Sequence, residues 1–185
     1  MNKRDMEELL SNLGNKLLEL DKRVIVGVYG GAVMCMEYEL RQSSFDIDVI
    51  YNEDVVRKLA LEIADENGIS KSWFNDSVKM TVYEDMIPGM DGTNSTTRTL
   101  GGLVLQFPSP EQMLAMKLFA ARTVKGSSDL VDSVELCKMI GIVTREEMLG
   151  VLRKYFKKES IRERNMLNGN IIGRFVSLVE SSMKG

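Results

Sequence analysis

The stretch Val24–Met36 constrains this chain more than any other. It is the longest uncharged apolar run, thirteen residues interrupted by Gly27, Gly30 and Gly31. A helix needs about 20 apolar residues to cross a bilayer, so the run reads as buried core and no membrane span is expected. Its first part, Arg23–Tyr29, is short and β-branched and stops at a glycine pair, which predicts a buried strand. Its second part, Ala32–Arg41, suits a helix starting at those glycines. A strand passing directly into a helix calls for sheet and helix layers around one core. A chain of 185 residues buries roughly 70% of its unfolded surface, enough for such a core without staples.

The rest of the chain extends that pattern. Met6, Leu9, Leu10, Leu13, Leu17 and Leu20 recur at helical spacing over residues 5–21. Asp46–Tyr51 alternates as a second strand, residues 53–67 form a helix closed by Gly68, and Val78–Tyr83 alternates again. Residues 86–102 hold Pro88 and four glycines and read as a long loop, the kind more often functional than idle. Leu103–Phe107 is the last strand. Ser109-Pro110-Glu111-Gln112 reads as a capping box, with Ser109 as N-cap, Pro110 in the first turn and Gln112 reaching back. Helices are predicted over 110–124, over 128–140 closed by Gly141, over 145–157 opened by a second box at Thr144–Glu147, and over about 170–183. The expectation is an α+β fold: a mixed sheet flanked by helices over 1–108, then a C-terminal helical region over 109–185 packed on that core.

Composition removes several chemistries. The chain has no histidine, so a Ser-His-Asp triad, a Cys-His dyad and an imidazole-held zinc are excluded. Cys35 and Cys137 are too few and too far apart for a disulfide framework or a cysteine zinc site. Any metal must be a hard cation on carboxylates, magnesium or manganese. A net charge of −3 argues against non-specific coating of nucleic acid. The charged opening Met1-Asn2-Lys3-Arg4-Asp5 has no apolar segment of the signal-peptide kind, so a cytoplasmic, reduced protein is expected.

One constellation carries chemistry. Gly30-Gly31 sits at a strand-to-helix junction, and Asp46-Ile47-Asp48 opens the next strand. Residues two apart on a strand share a face, so Asp46 and Asp48 project together while Ile47 points to the core. Two neighbouring carboxylates repel unless a cation lies between them. Glycine backbone lets a phosphate approach closely, and a helix start offers it free N–H groups.

The segments Tyr29–Ala32, Arg41–Val49 and Ser109–Arg122 resemble the nucleotidyltransferase superfamily of the DNA polymerase beta type. They are most similar to a small bacterial branch akin to abortive-infection toxin transferases, and the resemblance covers roughly residues 24–138. It implies that Gly30, Gly31 and Ser44 bind a nucleoside triphosphate, and that Asp46 and Asp48 carry Mg2+ or Mn2+ and the catalysis. It matches Lys117 to a helix lysine that contacts the nucleotide or the acidic cluster, and Asp129-Leu130-Val131-Asp132 to a following acidic motif. The family's third carboxylate lies on a neighbouring strand. Leu103–Phe107 offers only Gln106 there, which leaves Glu84 or Asp85 as substitutes.

The implied activity is transfer of a nucleoside monophosphate from an NTP to an acceptor hydroxyl, releasing pyrophosphate. The acceptor stays open among a tRNA end, a protein and a small molecule, as does the oligomeric state. The alternative is a catalytically degenerate member that binds nucleotide or a protein partner. Lys117, among Met113, Leu114, Met116, Leu118 and Phe119, can equally snorkel to solvent. Trp73-Phe74-Asn75-Asp76 reads as packing or as a base-stacking patch. The basic run Arg153–Arg164 reads as a solvated helix face or a dock for RNA phosphates.

Overall fold

The computed structural model describes residues 1–76, 85–86, 95–121 and 127–184. These residues form an α+β protein of eight helices and a five-stranded mixed sheet. The chain divides into two compact units. The first ends at Pro108; the second begins at Ser109 and also takes in Asp85 and Met86.

The first unit contains α1 (Lys3–Glu19), β1 (Val24–Tyr29), α2 (Gly30–Met36), β2 (Ile47–Ile50), α3 (Asp54–Asn67), β3 (Phe74–Asn75), β4 (Thr96–Leu100) and β5 (Leu103–Phe107). The sheet order is β3-β2-β1-β5-β4. β1 runs parallel to β5 and antiparallel to β2, β2 runs parallel to β3, and β4 and β5 form an antiparallel hairpin. α1 buries Met6, Leu10, Leu13 and Leu17, α3 buries Val56, Leu59, Ala60 and Ile63, and the two helices pack together. α1 also lies against the β4–β5 turn. A methyl group on Gly14 would stand 1.8 Å from the Leu100 carbonyl oxygen, so only glycine allows that approach.

The structure corrects three expectations in this unit. β1 is not buried on both sides: Val24, Val26 and Val28 are buried, but Ile25 is 58% exposed. A sheet covered on one face shows this alternation. Residues 96–100 are not loop but the edge strand β4. Their β-branched threonines and the two-residue Gly101-Gly102 turn, which sets Leu100 opposite Leu103, are hairpin signals. α2 stops at Met36 instead of running to Arg41, because the Leu40 and Arg41 N–H groups both turn back to the Met34 carbonyl and Glu39 takes a positive φ of 56°. The strand expected over Val78–Tyr83 lies outside the described residues.

The second unit is helical: α4 (Pro110–Ala120), α5 (Ser128–Ile140), α6 (Arg145–Tyr155), α7 (Lys158–Leu167) and α8 (Ile171–Lys184). α4 is the core helix, buried continuously from Gln112 to Phe119 and packed against α5, α6 and α8. A helix wrapped on all sides needs no polar stripe. The Thr144–Glu147 box is reciprocal, as expected. The box at Ser109 is only half formed. Ser109 accepts from the Gln112 N–H, but the Gln112 side chain does not reach back, and among the described residues its buried amide has no hydrogen-bond partner. α4 ends at Ala120 and α6 at Tyr155, short of the expected 124 and 157. α7, unforeseen as a helix, buries none of its residues. The basic run is broken up: Lys154 pairs with Glu111, and the Arg164 guanidinium lies 5.2 Å from the Phe119 ring, which stacks on Phe156. No helix among the described residues is long and apolar enough to cross a membrane.

Candidate functional site

The site is built where β1, α2, β2 and β3 meet in the first unit. β1 ends at Tyr29, whose register partner on β2 is Asp48. Residues directly opposite each other in a ladder share a face. Asp48 therefore lies on the side of the sheet that carries Ile25, Gly27 and Tyr29, while Ile47 and Val49 are buried on the other. The Tyr29 ring folds back along that face over Gly27, where a methyl group would meet the ring at 2.8 Å.

At Gly30 the chain takes a left-handed φ of 66°, and a methyl group there would stand 2.1 Å from Asp48 Oδ2. Glycine is thus required twice, by conformation and by the carboxylate resting on it. At Gly31 a methyl group would stand 2.6 Å from Ser44 Oγ and 2.9 Å from Arg41 Nη1. The turn is therefore not the bare backbone expected. Its two Cα atoms are lined by a carboxylate on one side and by a hydroxyl and a guanidinium on the other. α2 spans only seven residues and has no side-chain N-cap.

β3 completes the constellation. Asn75 lies opposite Asp48, and its Nδ2 donates to Asp46 Oδ2 at 2.8 Å. Asp46 itself lies just before β2, which begins at Ile47, so the strand is one residue shorter at this end than expected and Asn75 is what ties Asp46 to the sheet. Both carboxylates are half-exposed. Ser44 is buried, and its segment is held by the Ser44 N–H donating to the Met1 carbonyl and by an Asn2–Ser43 bridge.

The remaining candidates fall elsewhere. Gln106 pairs in register with Gly27, so it shares the open face, but β1 separates its strand from β2. The strand beside Asp48 on the other side is β3, and the residue it supplies is the neutral Asn75. Asp85 belongs to the second unit, where its carbonyl accepts from the Lys157 N–H. Glu84 lies outside the described residues. Lys117 also belongs to the second unit. It does not snorkel: it is buried, with Nζ 2.9 Å from Asp129 Oδ1 and 2.6 Å from Asp132 Oδ2. The acidic motif and the lysine thus form one ion cluster between α4 and α5. Trp73 is packing, its Nε1 donating to the Ala60 carbonyl.

Among the described residues no group of three or more carboxylates or thiols is placed to hold a metal. The donor set at the sheet is two carboxylates. That suits magnesium, which typically takes one or two carboxylates and completes its shell with water and phosphate oxygens. Neither cysteine is available as a nucleophile. Both are buried; desolvation raises the Cys35 thiol and pushes Cys137 up to about 12.

Sequence reasoning missed Arg41 and Asn75. A helix over Ala32–Arg41, as the sequence predicts, carries Arg41 away from the turn, whereas α2 stops at Met36. Asn75 carried a usable signal, a polar residue after the aromatic pair Trp73-Phe74, but two residues make a strand too short for periodicity to register. No protein-family model, no curated protein and no solved structure matches the chain.

Proposed function

We propose that the chain is a metal-dependent nucleotidyltransferase that moves a nucleoside monophosphate from an NTP onto an acceptor hydroxyl. The observation that carries this reading is the contact of the Asp48 carboxylate with Gly30, with Asp46 two residues before it and hydrogen-bonded to Asn75. It brings a carboxylate, the usual ligand of a hard divalent cation, against the glycine turn between β1 and α2. Asp46 and Asp48 hold the cation, and Gly30, Gly31 and Ser44 seat the triphosphate. A bound Mg2+ or Mn2+ would neutralise charge on the phosphates as pyrophosphate leaves. The acceptor oxygen attacks the α-phosphorus, the bond from that phosphorus to the bridging oxygen breaks, pyrophosphate departs with the electron pair, and the acceptor proton passes to water. Lys117 enters this reading as a structural charge in the second unit, bound to Asp129 and Asp132.

The test is Mg2+-dependent incorporation of labelled nucleotide, with pyrophosphate release measured in parallel, across RNA, protein and small-molecule acceptors. Asp48→Asn should keep the fold and abolish both signals. Unchanged turnover in that variant would remove the metal assignment.

Asn75 favours a second reading. A neutral amide, engaged with Asp46, stands on the strand next to Asp48, and on Leu103–Phe107, where the resemblance calls for a third carboxylate, the chain offers only Gln106. In that reading the protein binds nucleotide, or a protein partner, without turning anything over. Calorimetry with ATP and Mg2+ showing binding, with no pyrophosphate released under any acceptor, would select it.

A further inference from the structure

One side of α7 is an anchor and the other is an open face. On the inner side the Arg164 guanidinium lies 5.2 Å from the Phe119 ring, and Asn165 Oδ1 accepts from the Ile172 N–H at 3.0 Å; Ser160 and Ile161 share that side and are half-buried. The other six residues of the helix are all exposed. At 3.6 residues per turn they form two adjoining rows, one of Lys158, Arg162 and Met166 and one of Glu159, Glu163 and Leu167. Each row carries two like charges and then a large apolar side chain, and Met166 and Leu167 are 73% and 77% exposed.

Such a face is poorly suited to standing alone in water. Like charges four apart on a helix destabilise it, whereas opposite charges at that spacing support a solvated helix. Among the described residues none of the four charges has an ion-pair partner, although Glu159 and Arg162 are three apart. The two apolar side chains that end the rows lie side by side in solvent, where burying them is favourable.

We propose that this face pairs with the same face of a second copy of the chain, the two α7 helices lying parallel about a two-fold axis. Charge complementarity selects both the occupant and the direction. A two-fold axis running along the helices sets the basic row of each copy beside the acidic row of the other. Lys158 meets Glu159 of the second copy, Arg162 meets Glu163, Met166 meets Leu167, and each contact occurs twice. An antiparallel pair sets acidic row against acidic row and basic against basic, which repels. A nucleic acid meets as many carboxylates as cations on this face, so its phosphates find no net positive charge there. Ten residues make a helix about 15 Å long, so the pairing belongs to the weak class of small interfaces and is screened by salt.

Sedimentation of the full chain over a wide concentration range tests this. At about 0.05 M salt the weight-average mass should climb toward that of two chains. At about 0.5 M, where charges are screened within a few ångströms, it should return toward one. Lys158→Glu/Arg162→Glu makes the face wholly acidic, and Glu159→Lys/Glu163→Lys makes it wholly basic. All four side chains are exposed, so both variants should keep the fold, which circular dichroism checks. Each variant alone should stay a single chain at low salt, and the two mixed should pair more tightly than wild type. Wild type that stays a single chain at low salt overturns the proposal, and binding of single-stranded RNA by that chain, lost in the acidic variant, would give the face to nucleic acid instead. A dimer that both variants leave intact overturns it too, because it uses another surface, as does a mixture in which the two variants stay apart. None of these outcomes bears on the transferase reading.

Discussion

Asp48 rests on Gly30: a methyl group at residue 30 would lie 2.1 Å from Oδ2 of that aspartate, on a backbone already at a φ of 66°. The contact ties the end of β1 to β2 and leaves the carboxylate no freedom to sink toward the turn. Gly68 supplies an internal control. It has nearly the same φ, 62°, but no atom within 4 Å of a methyl group there. Gly68→Ala should cost about 1 kcal/mol, from backbone conformation alone. Gly30→Ala should cost that plus about 1–3 kcal/mol for overpacking, and should displace the carboxylate, so that Mn2+ affinity falls with it. Urea midpoints and Mn2+ titration of the two variants check this; equal costs would mean that the aspartate moves aside freely.

Asn75→Asp places a third carboxylate opposite Asp48 and within reach of Asp46. Without metal the variant should be less stable at neutral pH, because an amide donor is exchanged for a like charge. With Mn2+ present the order should reverse, and affinity should rise on the order of tenfold, as it does when ligand charge is added to a hard-cation site. Thermal unfolding with and without Mn2+ reads both effects. A metal-independent loss would show that the three side chains do not converge.

Lys117→Met removes the cation from a cluster in which Asp132 is 1% exposed. Removing one partner of a buried ion pair costs about 3–5 kcal/mol. The double variant Lys117→Met/Asp132→Leu should recover much of that loss, since replacing a buried pair by apolar groups is often close to neutral. A double-mutant cycle on urea unfolding measures the coupling. A small cost for the single variant would mean that water reaches Asp132.

Glu147 gives a pH signature. It accepts from the Val143 N–H and from the hydroxyl and N–H of Thr144, which together hold its carboxyl below the ordinary 4.5. With the folded value depressed, its contribution is complete above 4.5 and is lost as the pH falls through the lower folded value. Glu147→Gln should therefore be less stable than wild type at pH 7, with the gap closing below pH 4.5. Urea midpoints between pH 7 and pH 3 follow it, and a gap independent of pH would put the effect in packing instead of charge.

Much of this protein is local, and local features are what a sequence states. The helix stop at Gly68, the reciprocal box at Thr144, the junction at Gly30-Gly31 and the alternating burial of β2 follow from backbone preference, capping and a period of two. These depend on a few consecutive residues, so they were legible without coordinates. What needed the tertiary structure is everything decided between distant segments. The sheet order puts Asn75, not Gln106, beside Asp48. The return of the chain after Met36 sets Arg41 on Gly31, and the close approach of the Leu100 carbonyl to α1 explains Gly14. The burial of Lys117 against Asp129 and Asp132 depends on how α4 and α5 meet. Strand neighbours and helix contacts are chosen by the burial of whole faces, and a two-residue strand or a single arginine contributes too little to that choice to announce its own partner.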